Sequence, residues 1–142
     1  CVSGYWNNKE ASESLYTREW MHTGDLGRVD EEGFLYFINR KKELIKTGGE
    51  NVYPIEVENV ILNHPNVKDV IVMGMLDKTW GEMVVAVLVT KDNEGITNAD
   101  LKQFCAGKLS GYKIPKKVHC IEEIPRNHTG KPNKLLLTEL LT

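Results

Sequence analysis

Two nearly unbroken apolar runs, Val70–Leu76 and Met83–Val89, stand out from an otherwise mixed chain. Both are rich in β-branched residues and the polar segment Asp77–Gly81 separates them, which predicts paired strands over Val67–Leu76 and Met83–Thr90. Upstream, Pro54 suits the first turn of a helix. Ile55, Val57, Val60, Ile61 and Leu62 supply its apolar face until Pro65. Downstream, Thr97 followed three residues later by Asp100 predicts a capped helix start, with Leu101, Phe104, Cys105 and Leu109 on one face. Val118–Ile124 reads as a short strand, Pro125–Pro132 as a polar loop and Lys134–Leu141 as a terminal helix. From residue 43 onward, this order predicts a small α+β domain with helices against a short, mostly antiparallel sheet.

Before residue 43 the pattern changes. Residues 1–19 are polar with Tyr and Trp insertions, and Lys9–Tyr16 fits a short helix. Gly24, Asp25, Gly27, Asp30, Glu31 and Gly33 mark turns. Leu26–Val29, the turn Asp30–Gly33 and the aromatic run Phe34–Ile38 together predict a hairpin ending in a buried strand. The charged stretch Asn39–Glu43 then separates two apolar blocks and is the expected domain boundary.

Composition narrows the function. The 142 residues suffice for one compact domain. Eighteen basic against twenty acidic side chains give a net charge of -2, without the basic excess of a nucleic-acid binder. The two apolar runs fall far short of the roughly 20 residues that span a bilayer, so no integral membrane segment is expected. Cys1, Cys105 and Cys120 are too scattered for a disulfide framework or a CxxC metal site, and no metal site is expected. No signal or transit peptide is visible, which points to the cytoplasm. The chain opens on Cys1 within folded-looking sequence and is expected to be a piece of something longer. Asn127-His128-Thr129 spells a glycosylation sequon, read as chance, and His22, His64, His119 and His128 are expected at the surface.

Four clusters carry chemistry, and all lie outside the predicted core elements. In Thr23-Gly24-Asp25, a carboxylate in a glycine turn can accept two hydroxyl hydrogen bonds, as a ribose diol requires. A turn aspartate bonding its own backbone is the plainer alternative. The run Arg40-Lys41-Lys42-Glu43-Leu44-Ile45-Lys46 also fits a solvated strand end. The adjacent glycines in Thr47-Gly48-Gly49-Glu50-Asn51-Val52-Tyr53-Pro54 permit close approach of a ligand, but any tight turn needs the same freedom. In Pro125-Arg126-Asn127-His128-Thr129-Gly130-Lys131-Pro132, a glycine-hinged lysine can reach a phosphate. This is not a Walker loop, because the first glycine and the following Ser/Thr are missing.

In this order and spacing, the clusters resemble the C-terminal part of the AMP-forming acyl-CoA synthetases. That adenylating family also contains firefly luciferase and nonribosomal-peptide adenylation domains. The resemblance runs through Thr23–Asp25, through Arg40–Glu58 almost without a break, and through Pro125–Lys131. It implies a two-step reaction: ATP and a carboxylate give an acyl-adenylate, then the thiol of coenzyme A displaces AMP. It further implies that residues 1–39 are the tail of an N-terminal adenylate-binding domain, and 40–142 a small mobile C-terminal lid. Asp25 would then hold the ribose hydroxyls, Arg40 would support the same nucleotide, and Lys42 would occupy the hinge, where many members have Asp. Lys131 would be the adenylation lysine. Lys46, Gly48 and Gly49 would serve the thioester-forming face, with the glycines lining the pantetheine tunnel. Lys113, Lys116 and Lys117 would lie near the coenzyme A phosphates or form a solvated face.

The implied cofactors are ATP/AMP, coenzyme A and Mg2+, the last held mainly by the N-terminal domain. The partners are that domain and a carboxylic acid, fatty or aryl, with a fatty acid first. The fragment alone would be catalytically inert. Two alternatives are an adenylation domain that feeds a carrier protein and a stand-alone interaction module.

Overall fold

The computed structural model describes residues 2–92 and 94–141, so Cys1 lies outside the described residues. The chain divides between Lys42 and Glu43 into two compact units. In the first, α1 (Lys9–Ser14) starts at Asn8, whose side chain accepts from the amide of Ala11. Two short strands follow, β1 (Tyr16–Thr17) and β2 (Trp20–Met21), and then the antiparallel pair β3 (Asp25–Val29) and β4 (Leu35–Arg40). Asp30 closes the turn of that pair by accepting from the amides of Phe34 and Glu32 at 2.9 and 3.0 Å. The Phe34 bond above all holds its carboxyl below the usual carboxylate range.

One expectation fails here. β4 was expected to be buried, yet Leu35 is 75% and Phe37 58% exposed. A two-stranded ribbon has no second layer of its own, so its apolar side chains are covered only where another layer packs on them.

The second unit contains β5 (Ile45–Thr47), β6 (Glu50–Val52), α2 (Pro54–Ile61), β7 (Val67–Asp77), β8 (Gly81–Thr90), α3 (Asn98–Cys105), β9 (Lys117–Cys120) and α4 (Lys134–Leu141). Its five strands form one mixed, mostly antiparallel sheet centred on β8. β7 pairs with β8 along nearly its whole length, β9 runs parallel to residues 85–88, and a single bridge, Thr47 to Gly81, joins β5 to β8. The fold is α+β, as expected.

The sheet is covered on both sides. Val70, Val72, Val84, Ala86 and Leu88 pack in one cluster with Val57 and Ile61 of α2 and Leu101 and Cys105 of α3. The alternate residues Ile71, Met73, Val87 and Val89 pack with Ile124 and with Leu137 of α4. Burial on both faces explains why β7 and β8 read as apolar runs rather than as alternating patterns. α3 carries the expected capping box: Thr97 Oγ1 accepts from the Asp100 amide, and Asp100 Oδ2 accepts from the Thr97 amide.

Other departures are instructive. β5 and β6 were read only as a glycine turn with charged flanks, yet Ile45 and Val52 belong to the core. The stretch expected to carry chemistry is therefore itself a hairpin anchored in the core. β9 ends at Cys120, short of the expected Ile124. α3 ends at Cys105, and the following turn carries Leu109 into the same cluster. His64 and His119 are half-buried rather than superficial, and the His64 ring meets Phe104 edge-on at 4.7 Å. Among the described residues, Cys105 is a buried and Cys120 an exposed free thiol. No helix among them is long and apolar enough to cross a membrane.

Candidate functional site

In the first unit, the register pairs Asp25 with Arg40 at the open end of the β3–β4 ribbon. Their side chains meet there, with Arg40 Nε 3.2 Å from Asp25 Oδ1. The preceding turn is tied by the Asp25 amide to Thr23 Oγ1 at 3.1 Å, and by the Lys41 amide to the Gly24 carbonyl at 2.8 Å. An exposed ion pair of this kind contributes roughly 0–1 kcal/mol to stability. Its chemical significance is placement: an acceptor-only carboxylate lies beside a guanidinium, a group whose planar fork suits carboxylate or phosphate. Lys42 follows in a single 3-10 turn, Lys41–Glu43, and is exposed.

In the second unit, Lys46 lies opposite Asn51 and Thr47 opposite Glu50. Between them Gly48 and Gly49 adopt φ of 57° and 85°, as a two-residue primed hairpin turn requires at both central positions. Gly48 is also packed tightly. Its amide donates to the Trp80 carbonyl at 2.8 Å, and an added Cβ would lie 2.9 Å from Trp80 Cε3. The Lys46 amide donates to Glu82 Oε2 at 2.6 Å. Glu82 fits because Gly74 has no side chain, since a Cβ there would lie 2.9 Å from Glu82 Oε1.

Beside this turn runs a groove of about 360 Å³, lined by Thr47, Gly48, Glu50, Trp80, Tyr112 and Lys116. The Lys116 ammonium sits 4.4 Å above the Trp80 ring. Thr47 is only 2% exposed, and its hydroxyl has no partner among the described residues. Lys113 does not belong to the same open surface. Its ammonium reaches both Glu56 carboxylate oxygens, at 2.6 and 2.8 Å, and its side chain is 17% exposed. The Glu56 hydrogen bond raises its pKa above the ordinary lysine range. Of the three lysines grouped by sequence, only Lys116 and Lys117 are exposed.

The loop Pro125–Pro132 is built around one side chain. Asn127 Oδ1 accepts from the Thr129 amide, the Thr129 hydroxyl and the Lys131 amide at 3.0, 2.7 and 3.0 Å. The Asn127 amide donates to the Lys131 carbonyl at 2.8 Å. Arg126 donates to the Gly130 carbonyl at 3.0 Å and to Asp69 Oδ2 at 2.6 Å, tying the loop to β7. The apparent glycosylation triplet is thus an internal staple. Lys131 is exposed, and no hydrogen bond or ion pair engages its ammonium among the described residues.

The structure brings Asp25 together with Arg40, and Lys46 with Gly48 and Gly49, but sets the two lysines on separate anchors. Glu82, which fixes Lys46, lies opposite Leu76; Asp69, which fixes the lysine loop, lies on the same strand as Leu76. Leu76 lies seven positions along the strand from Asp69, about 23 Å between their Cα atoms. Trp80, Glu82 and Asp69 were not singled out from the sequence. Trp80 offered the only local signal, as a large aromatic ring inside a predicted turn. Among the described residues, no group of three or more His, Cys, Asp or Glu is placed to hold a metal ion.

Residues 56–131 match the model of a family described as AMP-binding enzyme C-terminal domain. The chain is 45% identical over 135 residues to the long-chain-fatty-acid–CoA ligase FadD13 of Mycobacterium tuberculosis, covering 95% of the chain and 27% of that protein. It is 47% identical over 139 residues to a 2-succinylbenzoate–CoA ligase of Bacillus cereus, covering 98% and 28%. Among solved structures it is similar to o-succinylbenzoate CoA synthetase (MenE) from Bacillus subtilis, in complex with the acyl-adenylate intermediate OSB-AMP. There the TM-score is 0.84 and the identity 41%, over 94% of this chain and 27% of that one. The chain therefore spans only about a quarter of the length of the curated relatives it matches.

Proposed function

Because the chain belongs to the AMP-binding enzyme C-terminal domain family, we propose that it is the closing part of an AMP-forming acyl-CoA ligase. On this reading the nucleotide-binding domain is completed by the first unit, which keeps Arg40 beside Asp25 and so runs past the expected boundary at 39/40, the second unit forms the mobile lid, and Lys42 is the hinge. A hinge of a few residues between compact units absorbs large φ/ψ changes, and the division of the chain beside Lys42 supports that role.

Asp25 accepts from the ribose hydroxyls and Arg40 donates toward the same nucleotide, which their placement side by side supports. Lys131 presents its ammonium to charge developing between the acyl carboxylate and the α-phosphate, an electrostatic contribution of roughly 3–4 kcal/mol. Lys46 and the Gly48-Gly49 turn serve thioester formation. The groove beside that turn suits coenzyme A: Trp80 and Tyr112 offer aromatic surface to a base, and Lys116 a cation to phosphate. Magnesium is assigned to the N-terminal domain, as the resemblance implies, and no step here runs through it.

One observation carries the reading: the backbones that bear the two exposed lysines are held by different carboxylates, the Lys46 amide by Glu82 and the Lys131 loop by Asp69. That arrangement suits one lysine for each half-reaction. The acid is proposed as a fatty acid, as the name of FadD13 suggests, with an aromatic acid as the other candidate from the 2-succinylbenzoate ligases. The enzyme is placed in the cytoplasm, with its own N-terminal domain as partner.

The test uses the full-length protein containing this chain, as wild type and Lys131→Ala. Adenylate formation from acid and ATP should fall by about 10²–10³. Thioester formation from preformed acyl-adenylate and coenzyme A should persist. Survival of both activities in the variant would overturn the reading. The isolated 142-residue chain should form no acyl-CoA.

A further inference from the structure

We propose that Asn127 and Arg126 are positioning residues for Lys131, fixing the backbone from which its ammonium acts in adenylate formation. The inference rests on the proposed role of Lys131 and concerns how this chain holds it. The loop is closed by one isolated antiparallel bridge, Arg126 to Pro132, and by backbone hydrogen bonds, and two side chains add to that order. Asn127 Oδ1 gathers three donors, one of them the Lys131 amide, and the Asn127 amide binds the Lys131 carbonyl. Lys131 is thus held on both sides of its Cα by one residue. Arg126 adds an external strut: one guanidinium nitrogen holds the Gly130 carbonyl and the other holds Asp69 on the sheet.

These contacts leave the lysine side chain untouched. The arrangement fits a charged group that must meet its target in only one lid orientation, because a fixed base lowers the number of wrong poses for a long flexible side chain. Asn127 acts only as an acceptor through its side chain, so Asp at this position keeps the contacts and Ala removes them.

The experiment measures both half-reactions in the full-length protein for Asn127→Ala, Arg126→Ala, Asn127→Asp and Lys131→Ala. A parallel measurement follows amide hydrogen exchange at Lys131 in the 142-residue chain. For Asn127→Ala the expected result is a loss of about 10- to 100-fold in kcat for adenylate formation, at nearly unchanged KM for ATP and acid. Thioester formation from preformed adenylate should hold, exchange at Lys131 should accelerate, and Asn127→Asp should recover most of the rate. Arg126→Ala should move in the same direction.

Equal losses in both half-reactions would mean a general structural role and overturn the proposal. So would full adenylation activity in Asn127→Ala while Lys131→Ala is inactive, and in that case the proposed function would still stand. If Lys131→Ala itself adenylates normally, the functional reading fails and the positioning role fails with it.

Discussion

The Gly48-Gly49 hairpin and the Pro125–Pro132 loop each present one exposed lysine from an ordered backbone, but the balance of strand pairing, packing and side-chain bonds differs between them. The hairpin is held by a strand ladder, by the Glu82 carboxylate on the Lys46 amide and by close packing of Gly48 against Trp80. The loop has only a single backbone bridge, Arg126 to Pro132, supplemented by side-chain hydrogen bonds of Asn127 and Arg126, and nothing lies within 4 Å of where a Cβ on Gly130 would sit. The difference teaches where each is vulnerable. The hairpin has no room for added volume at Gly48, although Gly49 is open, whereas the loop has room at Gly130 but depends on particular acceptors and donors.

The largest effects expected from breaking this comparison are catalytic. If each lysine serves its own half-reaction, Lys46→Ala should show the mirror image of Lys131→Ala. It should lose thioester formation and keep adenylation, which single-turnover assays of the two steps would read.

Stability comes next. Gly48→Ala combines a left-handed backbone with a collision against Trp80, and should cost about 3 kcal/mol in urea unfolding. Gly130→Ala, at φ 81° but in open space, should cost about 1–2 kcal/mol, because only the backbone strain remains. Equal costs would show that packing does not distinguish the two turns. Gly48→Ala and Asn127→Ala share no contact and lie on separate anchors, so their costs should add to within about 0.5 kcal/mol.

The smallest effect is on pH dependence. Glu58 of α2 accepts from the Val72 amide on the edge of β7 at 2.9 Å, and burial pushes its carboxyl up despite that bond. Lys134 opposes the shift, while Glu43 and Asp69 reinforce it. A carboxyl with a raised folded pKa contributes stability that is fully present below its unfolded pKa and is lost as pH rises through the folded one. Glu58→Gln keeps an acceptor for Val72 and should flatten the fall in Tm from weakly acidic to neutral pH. Asp100 has the opposite sign. Its hydrogen bonds from the Thr97 side chain and backbone lower its pKa, so its contribution is present above the unfolded value and is lost as pH falls. A wild-type Tm that does not fall over the first interval would remove Glu58 from the account.

Much of the fold was legible because its signals are local. The start of α2 at Pro54 and the Thr97–Asp100 box depend on residues within one turn, and β7 and β8 announce themselves by apolar runs. The missed strands β5 and β6 are three residues each with one apolar position apiece, Ile45 and Val52, too short for a period to show. At the candidate site, the motif residues were legible by their types and order, but their supports were not. Glu82 reads as an ordinary charge after a turn until Gly74 and Lys46 are seen around it.

By itself, then, the sequence determined the elements, the capped and turned positions, and the resemblance that names the chemistry. Each of these is written within a few neighbouring residues. Only the tertiary structure decided which supports meet. Arg126 finds Asp69, and Lys113 finds Glu56, each across 57 positions of chain. Those pairings follow from β8 taking the centre of the sheet and β9 running parallel beside it. Strand order of that kind is set by which apolar faces remain to be covered once the layers assemble, and no local pattern records it.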